Sequence, residues 1–159
     1  MKHVATLACD KVIIDHRGAH SLITVMSNAD IAVALNPQSP NEPAEQPIPA
    51  NAVMPREWFV FSMWMPSIED AGKSFEQVIE IYWPNSDKFT EGRLPFKADE
   101  KASYNSIQML GFPIGQVGNI KIQTWLEYQG SRITDTFDYC VSIKHLDRPP
   151  SPVTASQTN

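Results

Sequence analysis

The chain has 159 residues, 42% of them apolar and 19% charged, with a net charge of −5. That length sets one domain that can bury a core without disulfides or metals to hold it. The 13 Lys and Arg are scattered, which argues against a nucleic-acid partner, and no run approaches the ~18 apolar residues of a membrane span.

Val4 to Ile14 reads as a strand, Asp15 to Ala19 as a turn and Ser21 to Ser27 as the returning strand. Thr6-Leu7-Ala8-Cys9 looks like a lipoprotein cleavage site, but its apolar stretch is shorter than the ~7 residues a signal segment needs. A cytoplasmic location is therefore expected, with Cys9 and Cys140 as reduced, buried thiols. Asn28 to Leu35 fits either an extended segment or a loop.

Residues 36–55 carry six prolines and are expected to form a loop, because proline lacks the N–H that a sheet ladder needs. Such a segment is either a disordered flap or a strap laid over one face.

Glu57 to Met65 is apolar on both parities. Phe59, Phe61, Met63 and Met65 point one way, and Trp58, Val60 and Trp64 the other. A strand of this kind is covered on both sides. One side is expected to meet the core, and the other a loop, a partner or a ligand.

Ser67 to Trp83 supports two readings. Ile68, Ala71, Phe75, Val78, Ile79 and Tyr82 fit a helical stripe opened by Ser67-x-x-Asp70. Phe75, Gln77, Ile79, Ile81 and Trp83 alternate against Glu76 and Glu80, which favours a turn and then a strand. Phe89 to Lys97 reads as a loop because of Gly92 and Pro95, and Ser103 to Leu110 as a strand. The glycines of Gly111 to Gly118 form a connection, since no helix follows to make a phosphate cradle. Asn119 to Tyr128 and Ile133 to Ile143 make the last hairpin. About seven short strands without helical crossovers indicate an all-β, two-sheet antiparallel sandwich over residues 1–147. Residues 148–159 are expected to be a disordered tail.

Cys9-Asp10, Gly18 and Ser21-Leu22-Ile23, with Gly118-Asn119-Ile120 and Gln129-Gly130 near the end, resemble a family of small bacterial β-sandwich proteins of unknown function. The resemblance covers roughly residues 4–146. Thr24 stands where that family usually has glycine. The resemblance implies an immunoglobulin-like or C2-like sandwich, and no activity or functional residue comes with it.

No GxSxG, HExxH or CxxC motif occurs, so a non-enzymatic protein without cofactor or metal is expected. His16 and His20 lie four apart across the first turn, but zinc needs a third ligand and neither cysteine is near in sequence. Trp125 and Tyr82 fall on the polar side of their strands, and Trp58 and Trp64 on the second face of theirs. Trp58, Trp64, Tyr82 and Trp125 are therefore the candidate binding surface, an aromatic sheet face for a protein partner or self-association. The alternatives are a structural assembly component, phage-like or of a secretion particle, and a carbohydrate-binding module.

Overall fold

The computed structural model describes residues 1–26, 31–34 and 48–146. The chain order is β1 (Lys2–Ile14), β2 (His20–Val25), β3 (Ile31–Ala34), β4 (Val53–Met65), a single 3-10 turn (Ile68–Asp70), β5 (Ser74–Tyr82), β6 (Lys88–Lys97), β7 (Ser103–Pro113), β8 (Gly118–Tyr128), β9 (Ser131–Arg132) and β10 (Phe137–Leu146). They form two sheets, ordered β2-β1-β4-β7 and β3-β10-β8-β5-β6, with short β9 paired to the end of β8. Every pairing is antiparallel except β3 with β10. The expected all-β sandwich is present, with nine main strands rather than about seven.

Both added strands come from segments that local composition obscured. Residues 28–35 admitted a loop, and β3 takes its place beside β10. Phe89 to Lys97 is β6, not a loop. It sits at a sheet edge, where the absence of a proline N–H is tolerated. Gly92 fits there because a Cβ would come within 3.3 Å of Ile107 on the facing sheet. The proline segment also ends earlier than expected, because Val53 to Pro55 already belong to β4. Residues 36–47 of the expected flap or strap lie outside the described residues, as does the tail at 148–159, while residues 48–52 run against the connection after β7.

The first hairpin forms as read. Asp15 Oδ1 accepts from Arg17 N at 2.8 Å and Ala19 N at 2.9 Å, and Gly18 takes φ +78°. Of the two readings for residues 67–83, the turn and strand hold. Of the connection expected at Gly111 to Gly118, only residues 114–117 lie outside strands, because Gly111 falls within β7 and Gly118 opens β8. Gly115 is pressed against the chain before β4, where a Cβ would lie 2.4 Å from the Pro49 carbonyl oxygen.

The core lies between the sheets and includes Trp58, Val60, Ile79, Ile81, Phe112, Ile120, Ile122, Val141 and Ile143. The outer side of β4 is covered differently. β2 and β7 are opposite edges of their sheet, about 14 Å apart if it were flat. Yet the His20 ring stacks on Tyr104 of β7 at 4.8 Å and lies 5.9 Å from Phe61 of β4. The far end of the β1–β2 hairpin therefore curls back over the outer face of its own sheet, leaving Phe61 only 6% exposed. Thr24 adopts φ +51° within β2, a left-handed conformation that disfavours a β-branched residue. His20 is thus part of a packed layer and not an open turn histidine.

Candidate functional site

The four candidate aromatics do not make one surface. Trp58 and Trp64 are fully buried between the sheets. Trp58 Nε1 donates to the Gly111 carbonyl at 3.0 Å, and Trp64 Nε1 to Gln77 Oε1 at 3.0 Å. The reading of β4 had its two faces reversed. A period of two decides which residues share a face but not which face is interior. Ser62, the polar member of the Trp parity, lies on this interior side. It is buried inside a hydrogen-bonded cluster. Gln77 Nε2 donates to Ser62 Oγ at 2.9 Å and to Thr124 Oγ1 at 3.3 Å, and Asn105 Nδ2 donates to Gln77 Oε1 at 2.8 Å. The chain continues from Ser62 to Thr6 and from Thr6 to His3 Nε2 at 2.8 Å. Each buried polar side chain has a partner, so the cluster fixes register without leaving a desolvated group unpaired.

Tyr82 and Trp125 are on the outer face of the larger sheet, as their parity indicated. They are four residues apart along the paired strands, about 13 Å. Trp125 is only 5% exposed, which corrects its place as an open stacking platform. Its Nε1 donates to Glu127 at 3.1 Å, and the Arg132 guanidinium lies 4.0 Å from its ring centroid. Around it runs a charged ladder across β6, β5 and β8. Arg93 pairs with Glu76, Glu91 and Glu127, and Lys88 with Glu80 and Glu91. Val78 is fully buried beneath this layer. Tyr82 is half-buried, donates to Glu80, and has Lys121 Nζ 5.3 Å from its ring. The carboxylates of this face are thus matched to Arg93 and Lys88.

Open chemistry gathers instead at one end of the sandwich. The start of β1 pairs with the end of β4, and the β4–β5, β6–β7 and β8–β10 connections converge there. Gly72 N donates to the Ala98 carbonyl and Ala98 N to the Lys73 carbonyl, both at 2.9 Å, so two of these connections are tied together. Asp70 pins the first. Its Oδ2 accepts from Ser67 N at 2.9 Å, Ser67 Oγ at 2.7 Å and the amino terminus of Met1 at 2.5 Å. Burial alone would raise the Asp70 carboxyl. The hydrogen bonds from Met1 and Ser67, with the charge of the amine, outweigh it and hold the group well below the usual carboxylate range. Ile68, in the same turn, is 97% exposed.

Two grooves flank this turn. One, of about 290 Å³, lies between Pro66, Ile68, Ala71 and Glu100. The other, of about 660 Å³, is bordered by Lys2, Arg132, Ile133 and Asp135, with His3 and Phe137 beneath. The His3 ring stacks on Phe137 at 3.9 Å and meets the edge of Trp64 at 4.9 Å. Burial lowers the His3 pKa from 6.5, opposed by a backbone hydrogen bond at Ala5. The unfolded chain then takes up this proton at a higher pH than the folded one. The stability His3 contributes is complete above about pH 6.5 and is lost as pH falls through that value. Urea midpoints at pH 7.5 and 5.5 are expected to differ less in His3→Gln than in the wild type, and equal differences would remove His3 as a source.

Sequence reasoning noted the Ser67-x-x-Asp70 pattern but missed Lys2, His3, Ile68 and Arg132 as one cluster. They come from separate segments, and only strand pairing brings them to the same end. Cys9 and Cys140 are both free thiols, Cys9 buried and Cys140 half-buried. They lie on strands of different sheets. Among the described residues no helix is long and apolar enough to cross a membrane. No protein-family model matches this chain, and no curated protein shows significant similarity to it.

Proposed function

We propose that the chain is a non-enzymatic, cytoplasmic β-sandwich module that holds a protein partner at its loop-bearing end. Ile68 carries this reading. Single exposed apolar residues are common on protein surfaces, but Ile68, at 97%, is the most exposed of the large apolar side chains among the described residues, and the turn that presents it is pinned by Asp70. A fixed apolar knob loses little conformational entropy on docking, which is the property of an interface anchor. Connections clustered at one end of a sandwich are also where such folds place binding residues.

The aromatic-face version of this reading gives way, because Trp58 and Trp64 are interior and Trp125 is covered by Arg132. These three Trp side chains offer no flat, exposed ring to a sugar, so they do not support the carbohydrate-binding reading. A structural assembly component is the second reading. It is favoured by β2, an edge strand without Lys, Asp, Glu or Pro that leaves Ile23 and Val25 exposed.

Ile68→Asp tests the first reading. It should leave the melting temperature within about 2 °C of wild type, as surface changes do. It should abolish retention of a partner that the wild-type protein captures from its native lysate. Retention unchanged by the substitution would refute a docking role for Ile68. A discrete oligomer in light scattering, insensitive to Ile68→Asp, would move the balance to assembly.

A further inference from the structure

The geometry points to the groove beside the start of β1 as a seat for an acidic segment of the partner protein. This rests on the loop end being the docking surface.

Two cations border the groove, Lys2 and Arg132. On the neighbouring sheet face Arg93 is bound by three carboxylates and Lys88 by two. Lys2 and Arg132 have no ion pair within 4.0 Å among the described residues, although the Arg132 charge reaches Glu127, its cross-strand neighbour, from which Arg93 already takes a hydrogen bond. Arg132 is nonetheless held in place. Its Nη1 donates to Thr136 Oγ1 at 2.9 Å, and its Cζ lies 4.0 Å from the Trp125 ring centroid. A guanidinium oriented in this way keeps other N–H groups for a carboxylate and gives up little freedom in binding it.

The rest of the groove sets the class of ligand. Its floor is the stacked His3 and Phe137, and Ile133 is 45% exposed on its wall. The amine of Met1 is already bound by Asp70. Asp135 is the one carboxylate on the lining, against the two cations, in a chain whose net charge is −5. Beyond Asp70 the second groove is lined by Glu100, with Glu69 in the adjoining turn. That side repels an acidic segment and confines it to the cationic groove. The fitting occupant is an extended peptide with carboxylates spaced by an apolar residue. One carboxylate meets Arg132, another meets Lys2, and the apolar side chain rests on Phe137 and Ile133.

The test uses a blocked hexapeptide, acetyl-Glu-Leu-Asp-Glu-Leu-Asp-amide, titrated against the intact chain by calorimetry and tryptophan fluorescence. Trp125, under Arg132, reports on the groove. Binding is expected, and it should weaken several-fold between roughly 50 mM and roughly 300 mM salt. Lys2→Gln and Arg132→Gln should each reduce affinity about fivefold, and the double variant more than tenfold. Lys2→Gln should leave the melting temperature unchanged, whereas Arg132→Gln also uncovers Trp125 and lowers it by a few degrees, so affinities are compared well below both transitions. Three results would overturn the proposal. They are equal binding of the peptide with lysine at each acidic position, competition by acetate or inorganic phosphate at the same concentration, and full affinity in the double variant. Loss of the captured partner in Ile68→Asp but not in the Lys2/Arg132 double variant, with peptide affinity intact, leaves the docking end standing and removes the groove. Loss of the peptide in the double variant, with every partner retained by Ile68→Asp, supports the groove and removes Ile68.

Discussion

Trp64→Ala should cost about 3–5 kcal/mol of folding stability, the range for deleting a fully buried large aromatic side chain. Trp64 packs against His3 and Phe137, and its N–H donates to Gln77. Removing the ring opens a cavity beside a polar cluster and takes one donor from Gln77 Oε1. Trp64→Phe separates these contributions. It keeps most of the apolar contact, and Gln77 Oε1 still accepts from Asn105, so a cost nearer 1–2 kcal/mol is expected. Urea unfolding reads both, with the midpoint falling at unchanged slope. A loss below about 1 kcal/mol for Trp64→Ala would be incompatible with Trp64 as a core residue.

Gly115→Ala is the second large effect expected. A Cβ at this position would lie 2.4 Å from the Pro49 carbonyl oxygen and 2.5 Å from the Ala50 carbonyl carbon. Both neighbours are backbone and cannot swing aside as a flexible side chain would. The contact is also tied on each side, since Ile114 N donates to the Ala52 carbonyl and Gln116 Nε2 to the Ala50 carbonyl. Relieving the overlap must break one of these links, at a cost of about 3 kcal/mol, the upper part of the range for overpacking. A melting temperature lower by roughly 6–12 °C would agree. A shift under 2 °C would mean that the chain before β4 does not sit on Gly115.

Legibility in the sequence followed how local each determinant is. The first hairpin was readable because Asp15 and Gly18 carry the turn chemistry themselves. The last hairpin was readable in its central part because Ile120, Ile122, Val141 and Ile143 alternate cleanly, although its second strand begins at Phe137 rather than Ile133, with short β9 between. β6 was hidden by Gly92 and Pro95, residues that an edge position tolerates and a central one does not. The aromatic surface failed for a non-local reason. β4 is apolar on both parities because the second sheet covers one side and the curled first hairpin the other. Nothing within Glu57 to Met65 distinguishes the two covers. Trp125 was placed on the correct face, yet its exposure depends on Arg132, seven positions further along the chain. The loop-end cluster was invisible for the same reason, since Lys2, Ile68 and Arg132 share no local pattern.

The parallel pairing of β3 with β10 sets an order of events during synthesis. Ile31 pairs with Ile143, on the order of a hundred residues later. At about 5–20 residues per second, β3 leaves the ribosome roughly ten seconds before the strand that completes it. Throughout that interval the larger sheet lacks its edge strand, while the β5–β6 pair needs only nearby residues to close. The nascent chain thus carries a waiting β-strand through most of its translation, and its partner is the last strand of the sandwich to be made.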